Sequence, residues 1–282
     1  MTTAPSIAII AGNGALPIEA ASTLIDKGYK VLVLGIEGEA DAELDKFDTV
    51  RLRWGQVGQL FATIEQRGIN TVLLAGGIAR KPDLKSIGRP DWATIRRLPD
   101  ILASALVGDN SALSNVVSLL EKRGLTVVGF REVLPEFLAQ LGDNSAARPR
   151  NRDIASLKHA ADVAHSLGPF DIGQSVVAVG ERVVAIEGAE GTDAMLERVA
   201  HLRTIGRLPK AGGVLVKCFK PGQEARVDLP TIGPTTIVNV HAAGLDGIGI
   251  DAGYSLIVER ERTLKRARDL GVFVYGLDGV VP

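Results

Sequence analysis

This 282-residue sequence has very little cysteine, histidine and aromatic side chain. A single thiol, Cys218, excludes an intramolecular disulfide and any zinc site built from several cysteines, and it suits a reducing compartment. The four histidines, His159, His165, His201 and His241, never form a His-Glu-x-x-His pair. All fall on helical stretches and read as structural or surface side chains. No run of 18 apolar residues occurs, which excludes a membrane-spanning helix. The opening "MTTAPSIAIIAGNGALP" lacks a basic segment and its apolar run breaks at Gly12, so it reads as a first strand and not as a secretion signal. Net charge is −1, too small for a global field that would recruit nucleic acid or an anionic membrane. A cytoplasmic protein with no nucleic-acid partner is expected.

What is abundant is glycine, 32 residues against 4% aromatics. That balance favours an α/β protein with many strand–helix turns over an all-β sandwich. The length favours two domains over one. In the first half, buried-strand patterns at 6–11, 29–35, 69–77 and 125–130 alternate with helical patterns at 16–28 and 55–68, and further helices are expected near 92–107 and 110–123. Such alternation predicts a Rossmann-like parallel sheet covered on both faces. Residues 131–152, with "LGDNSAARPRNRD", are polar and basic and read as a linker between domains at 1–130 and 153–282. The second half predicts a helix at 153–168, a hairpin at 175–188, a helix at 192–202, a strand at 212–219, a helix from Pro234 and a closing strand at 271–278. The sum is a second α/β domain with a mixed sheet.

Three stretches carry candidate chemistry. "AGNGALP" joins the first strand to the first helix, where Gly12, Asn13 and Gly14 would bring backbone N–H groups to an anion. A dinucleotide fingerprint needs a third glycine where Pro17 stands. An isolated Gly-x-Gly more often marks a tight turn; as the first loop of a doubly wound sheet it becomes the better candidate for a ligand contact. "LLAGGIARKP" repeats the arrangement with Gly76 and Gly77, and a stretch rich in Lys and Arg follows to residue 97, either a phosphate or headgroup patch or a solvated basic loop. Two such loops on one carboxyl edge could flank one ligand. "VGDNSAL" and "IEGAEGTDAML" place Asp109 and Thr192 where ordinary N-caps stand, with Glu190 and Asp193 alongside. "KCFKPGQEARVDLPTIG" sets Lys217, Lys220 and Gln223 before Glu224 and Asp228, a mixture suited to Mg²⁺ and cations sharing a pyrophosphate. Its plainer reading is a salt-bridged loop in which Asp228 pairs with Arg226.

Taken in order, "IAGNGALP", "LLAGGIARKP", "GDNSAL", "FDIGQSVVAV", "AIEGAEGTDAMLERV", "LVKCFKPGQEARVDLPTIG" and the ending "AGLDGIGIDAGYSLIVE" through "LGVFVYGLD" closely resemble the LpxI-type UDP-2,3-diacylglucosamine pyrophosphatases, over nearly the whole chain. The resemblance implies Mg²⁺-dependent hydrolysis of UDP-2,3-diacylglucosamine to UMP and 2,3-diacylglucosamine 1-phosphate (lipid X) in lipid A biosynthesis, with water directed at the sugar-side phosphorus. It implies two α/β domains with the lipid-sugar held in an apolar cleft between them, and peripheral contact with the inner membrane. Asp228 becomes the implied catalytic or metal-binding carboxylate, holding Mg²⁺ or orienting water, with Glu224 as a further metal ligand. Gly12, Asn13, Gly14, Gly76, Gly77, Glu190, Thr192, Asp193, Lys217, Lys220, Gln223 and Thr231 become the implied substrate contacts. Asn110 departs from the family, which more often has a second acid there. The oligomeric state is left open, a homodimer being one candidate.

Two rivals stand beside this reading. A nucleotide-dependent oxidoreductase is supported by the Rossmann-like start and by Glu37, about twenty residues past the glycines, and opposed by Pro17. A non-catalytic nucleotide-sugar sensor would use the same loops without turnover.

Overall fold

A computed structural model of the chain describes residues 4–78 and 109–278, with side chains of the second stretch described from residue 113. The helix expected near 92–107, the basic run from Arg80 to Arg97 and the side chains of Asp109 and Asn110 lie outside these. The chain divides into two compact units: residues 1–135 with 224–228, and residues 136–223 with 229–282.

The first unit is built on β1 (Ser6–Ala11), β2 (Lys30–Ile36), β3 (Thr49–Leu52), β4 (Thr71–Ala75) and β5 (Thr126–Val128). They form one parallel sheet in the order β3-β2-β1-β4-β5. Helices α1 (Leu16–Asp26), α2 (Val57–Gln66) and α3 (Asp109–Glu121) belong to it. Ile7, Ala8 and Ile9 are all fully buried, as a parallel strand covered on both faces requires, and this is why the run reads as continuously apolar. One core cluster joins Ala8, Leu32, Leu34 and Val72 to Ile64 of α2 and Val117 and Leu120 of α3. Sequence pattern anticipated every strand of this sheet except β3, which has only four residues and an arginine among them.

In the second unit, β6 (Gly142–Asp143), β7 (Ser175–Val179), β8 (Arg182–Ile186), β9 (Val214–Lys217), β11 (Gly247–Asp251) and β13 (Phe273–Leu277) make a mixed sheet in the order β6-β13-β11-β9-β7-β8. The strands β13, β11 and β9 run parallel; β6, β7 and β8 pair antiparallel. The short β10 (Thr231–Ile232) and β12 (Leu256–Ile257) pair apart from it. Period-2 alternation sorts the two faces. Val176, Ala178, Val214 and Val216 meet Leu157, Ala160, Ala161 and Ala164 of α4 (Asn151–Leu167). Val177 and Leu215 turn the other way, toward Met195, Leu196 and Val199 of α5 (Gly191–Thr204) and Ile237 and Val240 of α6 (Pro234–Ala242). The last helix, α7 (Arg260–Leu270), contributes Ala267 to that second layer.

The span 131–152, expected as a linker, carries structure of its own. A helical turn at Phe130–Val133 closes the first unit, and β6 adds an edge strand to the second through Tyr275↔Asp143 and Gly276↔Gly142. Among the described residues no helix is long and apolar enough to cross a membrane.

Candidate functional site

In the first unit the site begins where the strand order reverses. β1 is flanked by β2 on one side and β4 on the other, so the loops leaving β1 and β4 open at the topological switch point, where open α/β sheets bind ligands. The two glycine loops are joined to each other there. Gly12 N–H donates to the Ala75 carbonyl at 2.9 Å, Asn13 N–H to Gly77 at 2.8 Å, and Gly77 N–H back to Asn13 at 3.1 Å. A Cβ on Gly12 would sit 2.2 Å from the Gly77 oxygen. Gly76 has φ +87°, and a Cβ there would stand 2.5 Å from the Asn13 oxygen and 2.8 Å from Cγ of Pro17. Pro17 is buried and fills the space beside Gly76. Asn13 turns its amide to Glu39, Nδ2 donating to Oε2 at 2.9 Å. Gly14, Gly76 and Gly77 stay exposed, and no side chain caps α1 beside them.

The acidic stretch 224–228 belongs to this same unit. Val227 packs against its core cluster. Arg226 fixes the stretch in place. Its Nε and Nη2 donate to both oxygens of Glu224 at 2.9 and 2.8 Å, and Nη1 donates to Glu121 of α3 at 2.6 Å. The hydrogen bonds from Arg226 hold the Glu224 carboxyl below its ordinary range. The guanidinium is thus engaged by Glu224 and Glu121, and not by Asp228 as the salt-bridged-loop reading supposed. Glu224, expected as a metal ligand, offers no oxygen that Arg226 does not already hold. Asp228 is half-buried, its N–H donating to the Glu224 carbonyl at 2.9 Å, so that a turn of backbone fixes where the acid begins.

The second unit brings a different set together at one end of β7, β8 and β9. Ser175 lies in register with Lys217, and Glu187 N–H donates to the Ser175 carbonyl at 2.9 Å, so Glu187, Ser175 and Lys217 form one row across the sheet. Glu187 is buried, only 7% exposed. Its Oε2 accepts from Gln174 N–H at 3.1 Å and its Oε1 from the Thr192 hydroxyl at 2.9 Å, with Ser175 Oγ 3.2 Å from Thr192 Oγ1. Thr192 therefore does not cap its helix; α5 starts at Gly191 with Glu190 before it, and the threonine hydroxyl reaches the strand ends instead. Lys217 donates from Nζ to the Thr231 carbonyl at 3.1 Å. Lys220 pairs with Asp171 at 2.6 Å, and its N–H takes the Gln223 side-chain oxygen, also at 2.6 Å. Two expected contacts point elsewhere: Glu190 pairs with Arg198 at 2.9 Å, and Asp193 accepts from Asn239 at 2.8 Å.

Sequence reading missed Glu187, Ser175 and Gln174 as a group. An acid at the end of an apolar strand, five residues before a threonine, was the available signal, since a buried carboxylate needs donors within reach.

The family model described as the LpxI N-terminal domain matches residues 6–137, and that described as the LpxI C-terminal domain matches residues 140–275. The UDP-2,3-diacylglucosamine pyrophosphatase LpxI of Caulobacter vibrioides (strain ATCC 19089 / CIP 103742 / CB 15) is 39% identical over 274 residues, covering 96% of this chain and 97% of that protein. Likeness to solved structures is faint. The holo form of the GalE-like L-threonine dehydrogenase from Cupriavidus necator aligns with 51% of this chain and 40% of its own at 21% identity and a TM-score of 0.26. CobK precorrin-6A reductase aligns with 99% of this chain and 90% of its own at 12% identity and a TM-score of 0.31. Neither bears on activity or ligand.

Proposed function

The chain belongs to the LpxI family, and on that basis we propose that it hydrolyses the pyrophosphate bond of UDP-2,3-diacylglucosamine to UMP and 2,3-diacylglucosamine 1-phosphate, a step of lipid A biosynthesis. One observation carries the reading: the likeness to a pyrophosphatase of that name, at 39% identity, covers 96% of this chain and 97% of that protein. In the reaction water adds its oxygen to one phosphorus, the P–O–P bridge breaks, and the leaving phosphate takes up the electron pair. Following the family resemblance, the sugar-side phosphorus is the one attacked.

The work of such an enzyme is positioning and charge neutralisation. Lys217 and Lys220 are the cations we assign to the phosphates; the carbonyl of Thr231 and the carboxylate of Asp171 hold them meanwhile. The exposed backbone of Gly14, Gly76 and Gly77 is assigned to the nucleotide, with Gly12 and Asn13 shaping the turn. Thr192, with the buried Ser175 and Glu187 behind it, carries the hydroxyl we assign to the sugar. Gln223, through Lys220, keeps the lysine's backbone in place.

Asp228 is assigned the central role. Mg²⁺ is commonly bound through one or two carboxylates plus the substrate's phosphates, and the half-buried Asp228 is the carboxylate assigned to it, with Glu224, both of whose oxygens also accept from Arg226, one backbone turn away. Bound there, the ion would withdraw charge from the phosphate oxygens. The acid's own share is to orient water or the ion, and Arg226 serves as the positioning residue that sets the turn on which it stands. The diacyl substrate further suggests peripheral residence at the cytoplasmic face of the inner membrane, which sedimentation with anionic vesicles at low salt will test.

The deciding experiment incubates purified protein with UDP-2,3-diacylglucosamine, with and without Mg²⁺, in ¹⁸O water, and follows products by mass spectrometry. UMP and sugar 1-phosphate are expected, with the label in the latter. Asp228→Ala should lower turnover by roughly 10²–10³-fold, the usual cost of losing an electrostatic group at a reacting centre. Unchanged turnover in that variant, with folding intact, removes Asp228 from the mechanism; intact substrate after incubation with wild-type protein removes the activity itself.

A further inference from the structure

A second cluster, one member of which follows Lys217 directly in sequence, lies inside the second unit. His165 in the last turn of α4, Cys218 one residue past β9, and Asp251 at the end of β11 each offer a ligand atom, and the three atoms lie within 4.8 Å of one another. Cys218 and Asp251 are each 1% exposed, and the His165 side chain 29%. Asp251 Oδ2 accepts from Phe219 N–H at 2.7 Å and stands 3.4 Å from His165 Nε2. Its other oxygen, Oδ1, is buried with no hydrogen-bond partner.

A buried carboxylate with one oxygen unmatched is costly, because burial removes water without replacing its hydrogen bonds. A His165⁺–Asp251⁻ pair would balance the charge but leaves Oδ1 as it is. A cation satisfies both needs. The donor set then selects which cation: a thiolate and an imidazole suit soft or borderline transition ions, whereas Mg²⁺ prefers oxygen alone. Thiolate and carboxylate together carry two negative charges, matched by one divalent ion. Ligands around a tetrahedral Zn²⁺ at about 2.0–2.3 Å stand roughly 3.4–3.8 Å apart, so closing the cluster requires movements of about 1 Å or less.

We propose that His165, Cys218 and Asp251 bind a thiophilic divalent transition-metal ion, best matched by Zn²⁺, which ties the end of α4 to the ends of β9 and β11. Three protein ligands leave a fourth position for water, and His165 is the partly exposed member past which ion and water would enter. In the metal-free protein, burial, the negative charge of Asp251 and a hydrogen bond to its carboxylate push the Cys218 thiol well up, so uptake displaces to solvent a proton that the thiol shares with Asp251. The ion would brace the root of the segment carrying Lys217 and Lys220 without touching substrate. The proposal is independent of the hydrolytic assignment.

The chain has one cysteine, which makes the test unambiguous. Untagged full-length protein is freed of metal by chelator and titrated with Co²⁺. The expected result is one Co²⁺ per chain, with a near-ultraviolet thiolate-to-cobalt charge-transfer band and the intense visible bands of tetrahedral Co²⁺, all displaced by Zn²⁺. Cys218→Ser should abolish the charge-transfer band, and His165→Ala should weaken binding by more than the roughly tenfold that losing a ligand's neighbour costs. Circular dichroism of both variants establishes that they fold. No charge-transfer band from the wild-type protein at saturating Co²⁺, or the same band from Cys218→Ser, overturns the site.

Discussion

At the scale of single residues, Arg226 decides most about the acidic stretch. It stands two residues from Glu224 and two from Asp228, so spacing alone could not say which acid it takes. The backbone settles the matter: Val227 and Asp228 both donate to the Glu224 carbonyl, a turn that curls Glu224 back to the guanidinium. Arg226→Ala should destabilise the first unit by about 1–3 kcal/mol, the range for leaving a partly buried charged partner unmatched, and should lower turnover through displacement of Asp228. The stability loss is read from denaturant unfolding and the turnover loss from kcat, with KM less affected. The depressed Glu224 pKa gives a pH dependence of known sign. A carboxyl held lower in the folded state than in the unfolded chain stabilises fully above its unfolded value, about 4.3, and loses that contribution as pH falls through the folded value. Glu224→Gln should therefore cost stability at pH 7 and flatten the acid limb of the stability profile below about pH 5. An unaltered acid limb would argue that Arg226 is held mainly by Glu121. The residue that sequence resemblance singled out, Asp228, could be named without structure; its neighbours' pairing could not, because it depends on a turn.

Among elements, what could be read in the sequence followed burial. Strands covered on both faces, such as β1, and strands with clean alternation, such as β7 and β9, announce themselves through apolar residues. β11 did not: "GIGID" is buried throughout, yet two glycines dilute its pattern. Nor did α7, whose sequence "RERTLKRARDL" is mostly charged around the buried Thr263 and Ala267. The glycine loops were legible as loops, but their mutual pairing was not, since Asn13 and Gly77 are far apart in sequence. That pairing leads to a sharp expectation. Gly76→Ala meets both a left-handed backbone and a carbonyl 2.5 Å away, and should cost roughly 2 kcal/mol or more in stability. If the switch point binds nucleotide, UMP affinity should fall with it. A thermal shift series with UMP measures both, and a Gly76→Ala protein with wild-type midpoint and affinity would show the bridge to be dispensable.

Over the whole molecule, sequence order and packing order part company. The family description that covers residues 140–275 includes 224–228, yet those five residues pack with the first unit. No pattern of polarity announces such an excursion, because it rests on Val227 finding a core more than ninety residues back in the chain. Trp54 lies in the first unit, so its fluorescence reports on that unit. Val227→Ala, a change late in the sequence, should nonetheless lower the fluorescence-detected unfolding midpoint, by the equivalent of about 1 kcal/mol. A midpoint unmoved by Val227→Ala would detach the stretch from the first core.

The excursion also means that the polypeptide passes between the units three times: after residue 135, after 223 and after 228. A single nick at any one of these junctions leaves two covalent strands still joining the halves. Neither half is a cassette that gene fusion could exchange by one clean cut, and grafting a foreign C-terminal portion would carry with it five residues shaped for someone else's core.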